Sequence, residues 1–493
     1  MERRDPTAGV NADFSSRAFA RAAIERLQPE AIVTEGGRLR RKLGAFDLIA
    51  VGLGTMIGGG IFTTIGPGIL KAGPAIIVAY LLAGLASFFA ALAYAELGAM
   101  VPIAGSAYTY AYATLGEVVA WIIGWDLILE YGVSAAPVAQ QFSGYAQTAL
   151  AAVGMVLPAW ARDAHFSTDP AQLHVDVLGA AFVLVLSLLL AIGIRETATS
   201  NNAFVIVKIG ALLVFIFAAV ALVGIHPSYF TPLSPNGWGT GGFAGGNGLG
   251  IIPAAALVFF SYIGFDTATT TAEETRNPQR DVPLGVIGSL AIGTIVYCTV
   301  AFALVGIVPW QRVDQQAALA AAVAPLHNAF INVTIVVGAL AGTTSVALTS
   351  LLGQTRIFFA MARDGLLPPA VARVNSRFGT PAATTMTTGV VVAVLTLVVP
   401  LDVLLELVNI GTFSAFIIVC AGVMWLRERR PELPRPFRSP AVPLFPFCGI
   451  TLSLYLMTQG LGEFTWLRFL IWLVIGLGIY FAYGYRRATA ARP

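Results

Sequence analysis

Apolar residues do not alternate with polar ones in this chain; they run in long blocks, with most charged residues gathered between them. A helix needs about 20 apolar residues to cross a bilayer core. That ruler predicts twelve helices, over 46–70, 75–100, 117–148, 173–193, 201–224, 249–274, 283–308, 329–360, 383–399, 401–425, 441–461 and 465–485. Blocks this long and apolar all round are membrane spans rather than amphipathic surface helices. An even number of spans puts both termini on one side.

Composition agrees with the pattern. Charged residues are 11% of the 493, against roughly 25% in soluble proteins, hydrophobic residues are 57%, and mean hydropathy is +0.78. A soluble enzyme, a disordered chain and a collagen are excluded, the last because the 51 Gly and 27 Pro show no period. A net charge of +3 implies no nucleic-acid surface. Cys298, Cys420 and Cys448 have neither disulfide nor metal-ligand spacing, so no metal and no cofactor is expected. The first apolar run begins near Ala45, behind a charged leader, which does not read as a cleavable signal peptide. Of the 29 Lys and Arg, all but Lys71, Arg162, Arg312, Arg468 and Lys208 fall on the side of the termini. By the positive-inside rule that side is cytoplasmic, which predicts a multi-pass protein of the cytoplasmic (inner) membrane with both termini inside. His165, His174, His226 and His327 all fall on the opposite side.

Two spans carry helix-weakening glycine at mid-span: the first, Gly52-Leu-Gly-Thr-Met-Ile-Gly-Gly-Gly-Ile-Phe62, and the sixth, Phe259-Phe-Ser-Tyr-Ile-Gly-Phe-Asp266. Gly costs roughly 1 kcal/mol per residue in a helix interior, so both are unwinding points. Unwound backbone at membrane depth survives only where it is buried or lines a cavity. The two breaks lie five helices apart, in helices of opposite direction, which is the pattern of inverted repeats around a midplane site. The predicted fold is an all-α membrane protein with twelve transmembrane helices: a five-plus-five inverted repeat, helices 1 and 6 broken, and two appended helices. The organisation reads as a cytoplasmic tail over 1–40, a first repeat over 41–224, a second over 240–425, a cytoplasmic linker over 426–440, helices 11 and 12 over 441–485, and a tail over 486–493. Scattered apolar positions from Phe14 to Leu27 read either as an amphipathic surface helix or as disorder.

A broken helix offers amide N–H groups on one side of the break and carbonyl oxygens on the other, and such a pair of poles suits a zwitterion. The amides of Gly59, Gly60 and Ile61 are placed to face a carboxylate, and the carbonyls of Met56, Phe260, Ser261 and Ile263 an ammonium. An α-amino acid is the simplest ligand. The bland alternative is that these glycines serve helix packing alone. Gly52, Gly54 and Gly58 loosely imitate a dinucleotide fingerprint, with the wrong spacing and no βαβ context.

Ionisable residues within spans are candidates for function. Lys208 lies about 10 Å deep in its helix, where it either snorkels to the interface or stays buried and exchanges a proton in place of a sodium ion. Asp126 and Glu130 share one helix face, four residues apart, and Glu130 is the deeper proton candidate. Its alternative role is a structural carboxylate bonded to unwound backbone. Asp266 either exchanges a proton or caps the half-helix that begins there.

The runs Lys42-Leu-Gly-Ala-Phe-Asp-Leu48, Ile57-Gly-Gly-Gly-Ile-Phe62, Tyr94-Ala-Glu-Leu-Gly98, Gly105-Ser-Ala-Tyr-Thr-Tyr110 and Gly124-Trp-Asp-Leu-Ile-Leu-Glu-Tyr131 resemble the cationic amino acid transporter family of the amino acid, polyamine and organocation superfamily. So do Tyr262-Ile-Gly-Phe-Asp266, Ala272-Glu-Glu-Thr-Arg-Asn-Pro-Gln-Arg-Asp281 and the motif from Gly353 to Pro368. The likeness spans roughly 38–485. It implies alternating access and uptake of L-amino acids, with proton coupling in bacterial members. It assigns Lys208 to the position where sodium-coupled relatives hold a sodium ion, Glu130 and Asp266 to acidic positions of the third and sixth helices, and Gly60 to the glycine whose amide meets the substrate carboxylate. Gly59 departs from relatives that carry Thr and loses a hydroxyl contact. Thr349 and Ser350 stand where a bulky Met occurs in bacterial relatives, leaving room for a longer side chain or serving ordinary helix packing.

The expected protein is therefore a secondary active transporter that imports L-amino acids, with the proton as coupling ion. It has no catalytic residues, and its partners are the lipid bilayer and a small-molecule substrate, not nucleic acid. A small membrane helper subunit is compatible with this organisation. The alternative is an amino acid or polyamine exchanger without proton coupling, in which Lys208 is a structural cation. A membrane sensor or accessory subunit has no need of a site opening to both sides.

Overall fold

The computed structural model of the protein describes residues 43–101, 106–164, 174–193, 198–375 and 377–485. The expected tails over 1–40 and 486–493 lie outside the described residues.

Each apolar block folds as a helix, because in hydrocarbon the backbone must satisfy its own hydrogen bonds. In chain order the helices are α1 (Ala45–Ala72), α2 (Ile76–Met100), α3 (Ser106–Thr114), α4 (Glu117–Leu127), α5 (Ala135–Ala152), α6 (Val177–Ala191), α7 (Ala198–Phe217), α8 (Ile251–Val258), α9 (Thr267–Thr270), α10 (Pro278–Ile307), α11 (Ala318–Val323), α12 (Ala329–Arg363), α13 (Ala382–Val398), α14 (Leu401–Arg429), α15 (Leu444–Gly460) and α16 (Glu463–Ile479). Among the described residues eight segments are long and apolar enough to cross a membrane, and α6 and α13 are shorter apolar helices. The first of the eight, Ala45–Met100, holds both α1 and α2, which are divided by the turn Gly73–Ala75. Pro74 suits that turn because it needs no backbone donor, and Gly73 supplies a φ of +64°.

Ends are set by local chemistry. Asp176 caps α6 by accepting from the Gly179 amide at 2.8 Å, and Asn328 caps α12 by accepting from Ile331 at 3.2 Å. Pro278 opens α10, where its missing N–H costs nothing. α14 continues to Arg429, so the first residues of the expected linker are helical. The third expected span is interrupted: α4 and α5 are joined by a π-helical segment, Ile128–Val133.

Packing places the broken helices at the centre. α1 lies against α8, α10 and α12, and α2 against α8, α10 and α15. The 20-residue segment that contains α8 and α9 is 94% buried in its most apolar window, while the last segment, Glu463–Gly484, is 22% buried and peripheral. The outer faces of α7, α10 and α12 present Ile206, Ile295 and Phe330, each largely exposed, as a lipid-facing surface requires.

Candidate functional site

The site begins with two backbone breaks. α1 leaves helical geometry at Ile57 (φ −79°, ψ 119°) and Gly58 (φ 129°, ψ −67°), then resumes at Gly59. Only glycine fits position 58: its φ is one that side chains rarely adopt, and a Cβ there would stand 2.5 Å from the Gly342 carbonyl of α12. In the sixth expected span, α8 tightens into a 3₁₀ turn over Phe259–Tyr262. Ile263 is extended (φ −62°, ψ 130°), Gly264 turns back at φ 113°, and α9 begins at Thr267.

The breaks pack against each other. A Cβ on Gly60 would lie 2.7 Å from the Ser261 Cα, and one on Gly264 would lie 2.8 Å from the Thr55 Cβ. Thr55 Oγ1 donates to the Gly264 carbonyl at 2.8 Å and lies 2.9 Å from Thr267 Oγ1, which itself bonds Gly264 at 2.6 Å. At the ends nearest Leu43 the two segments are stitched again, Leu43 N donating to Glu274 O at 3.1 Å and Arg276 N to Leu43 O at 2.9 Å.

Where the breaks meet α4, its π segment and α12 there is a cavity of about 30 Å³ measured to water centres, room for about two waters. Gly59, Gly60, Phe260, Ile263, Thr349, Ser350, Glu130 and Asp266 line it, so eight of the residues singled out in the sequence converge. Met56, Ile61 and Ser261 are buried but stand outside its lining. Met56 packs towards α10, where a Cβ on Gly293 would meet its Cε at 2.8 Å. The Ser261 carbonyl, expected to receive an ammonium, accepts from Tyr297 Oη at 2.8 Å, and its hydroxyl lies 2.6 Å from Thr64 Oγ1.

The remaining lining residues are Thr55, Tyr131, Ser134, Gly264, Thr267 and Val346. Two were within reach of helix periodicity: Ser134 is four residues beyond Glu130 and Val346 four before Ser350, each on the same face. Ser134 Oγ donates to Ser350 Oγ at 3.2 Å and joins the two walls. Val346 also answers the missing threonine, since a Cβ on Gly59 would meet its Cγ1 at 2.6 Å; a valine methyl occupies that space.

The ionisable groups are buried. Lys208 is 0% exposed, so it does not snorkel, and its Nζ donates to the carbonyl of Gly54, one turn before the break in α1. That carbonyl belongs to the negative pole of the first half-helix. Glu130 sits inside the π segment and is 2% exposed, and its Oε2 has no hydrogen-bond partner among the described residues. Asp266 occupies the N-cap position of α9 without making a side-chain cap; its Oδ2 accepts from Tyr131 Oη at 3.1 Å. Among the described residues no cluster of His, Cys, Asp and Glu could hold a metal ion.

Two broken helices packed against each other around one buried cavity define a membrane carrier. The amino acid permease family profile matches residues 43–480, and the chain belongs to that family. It is 43% identical over 448 residues to the branched-chain amino acid permease BcaP of Bacillus subtilis, covering 90% of this chain and 93% of that protein. It is 37% identical over 469 residues to the methylthioribose transporter of the same organism, covering 95% and 98%. Against human cationic amino acid transporter 4 it is 32% identical over 426 residues, 83% of this chain and 64% of that one. The protein is a multi-pass membrane transporter and not an enzyme.

Proposed function

We propose that this transporter imports L-amino acids with neutral, branched side chains across the cytoplasmic membrane by alternating access, coupled to protons. The observation that carries the reading is the convergence of both helix breaks on one cavity. On one side the second half of α1 begins at Gly59 and Gly60, whose N–H groups suit a carboxylate; on the other, Phe260 and Ile263 bring backbone beside it that suits an ammonium. Phe260, Ile263 and Val346 supply an apolar wall, and relatives named as branched-chain permeases share 43% and 34% identity.

The twelve-helix, five-plus-five inverted repeat belongs to the same proposal, with repeats over 41–224 and 240–425, helices 11 and 12 appended, and both termini cytoplasmic. It is supported by two breaks five spans apart that pack against each other at one cavity. Lys208, held at the Gly54 carbonyl, acts as the exchangeable cation in this scheme, and Glu130 and Asp266 as carboxyls that share the coupling proton with the cavity. The competing reading is exchange of amino acids or polyamines without protons, favoured by the fixed bond from Lys208 to Gly54, which a permanent cation would also make. A small helper subunit is compatible with either.

Competition for labelled leucine uptake in proteoliposomes tests the substrate class. Isoleucine and valine should compete, and D-leucine, arginine and methylthioribose should not. Competition by arginine or methylthioribose alone would overturn the assignment.

A further inference from the structure

One buried acid has no role in the account above. Asp126 in α4 is 1% exposed, and its Oδ2 lies 2.5 Å from Ser414 Oγ of α14. The same Ser414 Oγ lies 2.8 Å from the Gly411 carbonyl one turn back. A hydroxyl owns one hydrogen, whereas a backbone carbonyl and an ionised carboxylate both only accept. If Asp126 were ionised, Ser414 would have one hydrogen for two acceptors, and Asp126 Oδ1, buried with no hydrogen-bond partner among the described residues, would be a bare anionic oxygen. With the proton on Oδ2 every short contact owns a hydrogen: Asp126 donates to Ser414, Ser414 donates to Gly411, and Oδ1 is a neutral carbonyl oxygen.

The surroundings supply no cation to take the place of that proton. The next acid along the chain is Glu130, one turn on in the π segment, close enough for the two carboxyls to interact. From α14 it meets Ser414 and the Gly411 backbone, a Cβ on Gly411 reaching within 3.4 Å of the Asp126 carbonyl. Tyr108 of α3 and Met361 of α12 reach α4 at Gly124, and the Tyr108 hydroxyl is bonded to Asp364 at 2.7 Å. From α16 comes the Trp472 carbonyl, which accepts from Trp125. Among the described residues no Lys, Arg or His acts on this acid.

We propose that Asp126 is a second proton site of the transporter, one helical turn from Glu130, which holds a proton in this conformation and gives it up during the transport cycle. The release half rests on the proton-coupled reading. Departure of the proton to water leaves a carboxylate that claims the Ser414 hydrogen. The Gly411 carbonyl then keeps its helical bond but loses the second one, from Ser414, so proton occupancy is registered in the hydrogen bonding of α14. Two carboxylates one turn apart repel, so charge on Asp126 and charge on Glu130 oppose each other.

Two measurements on the intact transporter in liposomes test this. Infrared spectroscopy at neutral pH should show a carboxylic acid C=O band that Asp126→Asn removes and Ser414→Ala shifts. The same spectrum in wild type and both variants would overturn the assignment. Proton uptake per leucine transported, a ratio insensitive to the number of active carriers, should fall about twofold in Asp126→Asn if two sites share the load. An unchanged ratio would overturn release from Asp126 alone. Absence of any leucine-driven proton uptake in the wild type would overturn the coupled reading and the release together. If Asp126→Asn fails to fold, the infrared shift in Ser414→Ala still decides whether the acid is protonated.

Discussion

Lys208 and Ser350 carry the coupling and the selectivity of the proposed carrier. Lys208 is wholly enclosed and its ammonium donates to the Gly54 carbonyl beside the break in α1, and an ionisable group at membrane depth is a candidate for function. Lys208→Ala should insert and fold yet lose gradient-driven accumulation of leucine; accumulation equal to wild type would remove it from coupling. Ser350→Met would push a long side chain towards Ser134 and the cavity. Uptake of the bulkier branched substrates should drop while alanine uptake persists, and unchanged selectivity would take Ser350 out of the pocket. The chemistry of these residues was legible in the sequence, because a lysine or a carboxylate stands out in an apolar block. Their partners were not. Whether Ser261 presents a free carbonyl depends on Tyr297, 36 residues away, and whether Gly59 is a void or a contact depends on Val346.

Elements were legible where composition alone decides them. Block length predicted each described span to within a few residues, and clustered glycine predicted both breaks. The break in α1 is narrower than the glycine run: only Ile57 and Gly58 leave helical geometry, while Gly59 and Gly60 are helical and owe their lack of a Cβ to Val346 and Ser261. The π segment around Glu130 was not legible, since Ile128-Leu-Glu-Tyr-Gly-Val133 has ordinary helical composition; the segment lies against α12 and α14. Gly58→Ala tests the break directly. Its backbone alone should cost about 1–3 kcal/mol, and the Gly342 carbonyl adds a clash. The expected result is a lower melting temperature in detergent and lost leucine uptake, whereas Gly210→Ala, which meets nothing within 4 Å, should melt as the wild type does.

Over the whole molecule, the linker after α14 is fastened to the core through one buried acid. Glu96, at the end of α2 and 1% exposed, receives both arms of Arg427 at 2.9 and 2.8 Å and the Ser439 amide at 2.8 Å, with Arg435 Nε 3.4 Å away. Arg427 is 27% exposed and Arg435 stays beside Glu96, so removing Arg427 takes away charge-assisted hydrogen bonds without leaving the acid bare, a cost of about 1–3 kcal/mol. Arg427→Ala should therefore lower the melting temperature, and a melting curve identical to wild type would show the clasp to be dispensable. Energy flow through the paired breaks is read by labelled leucine uptake into proteoliposomes with and without an inward proton gradient. Leucine should accumulate above the external concentration only when the gradient is present. Uptake that ignores the gradient and requires internal amino acid would contradict this coupling, making the protein an exchanger and Lys208 a fixed cation.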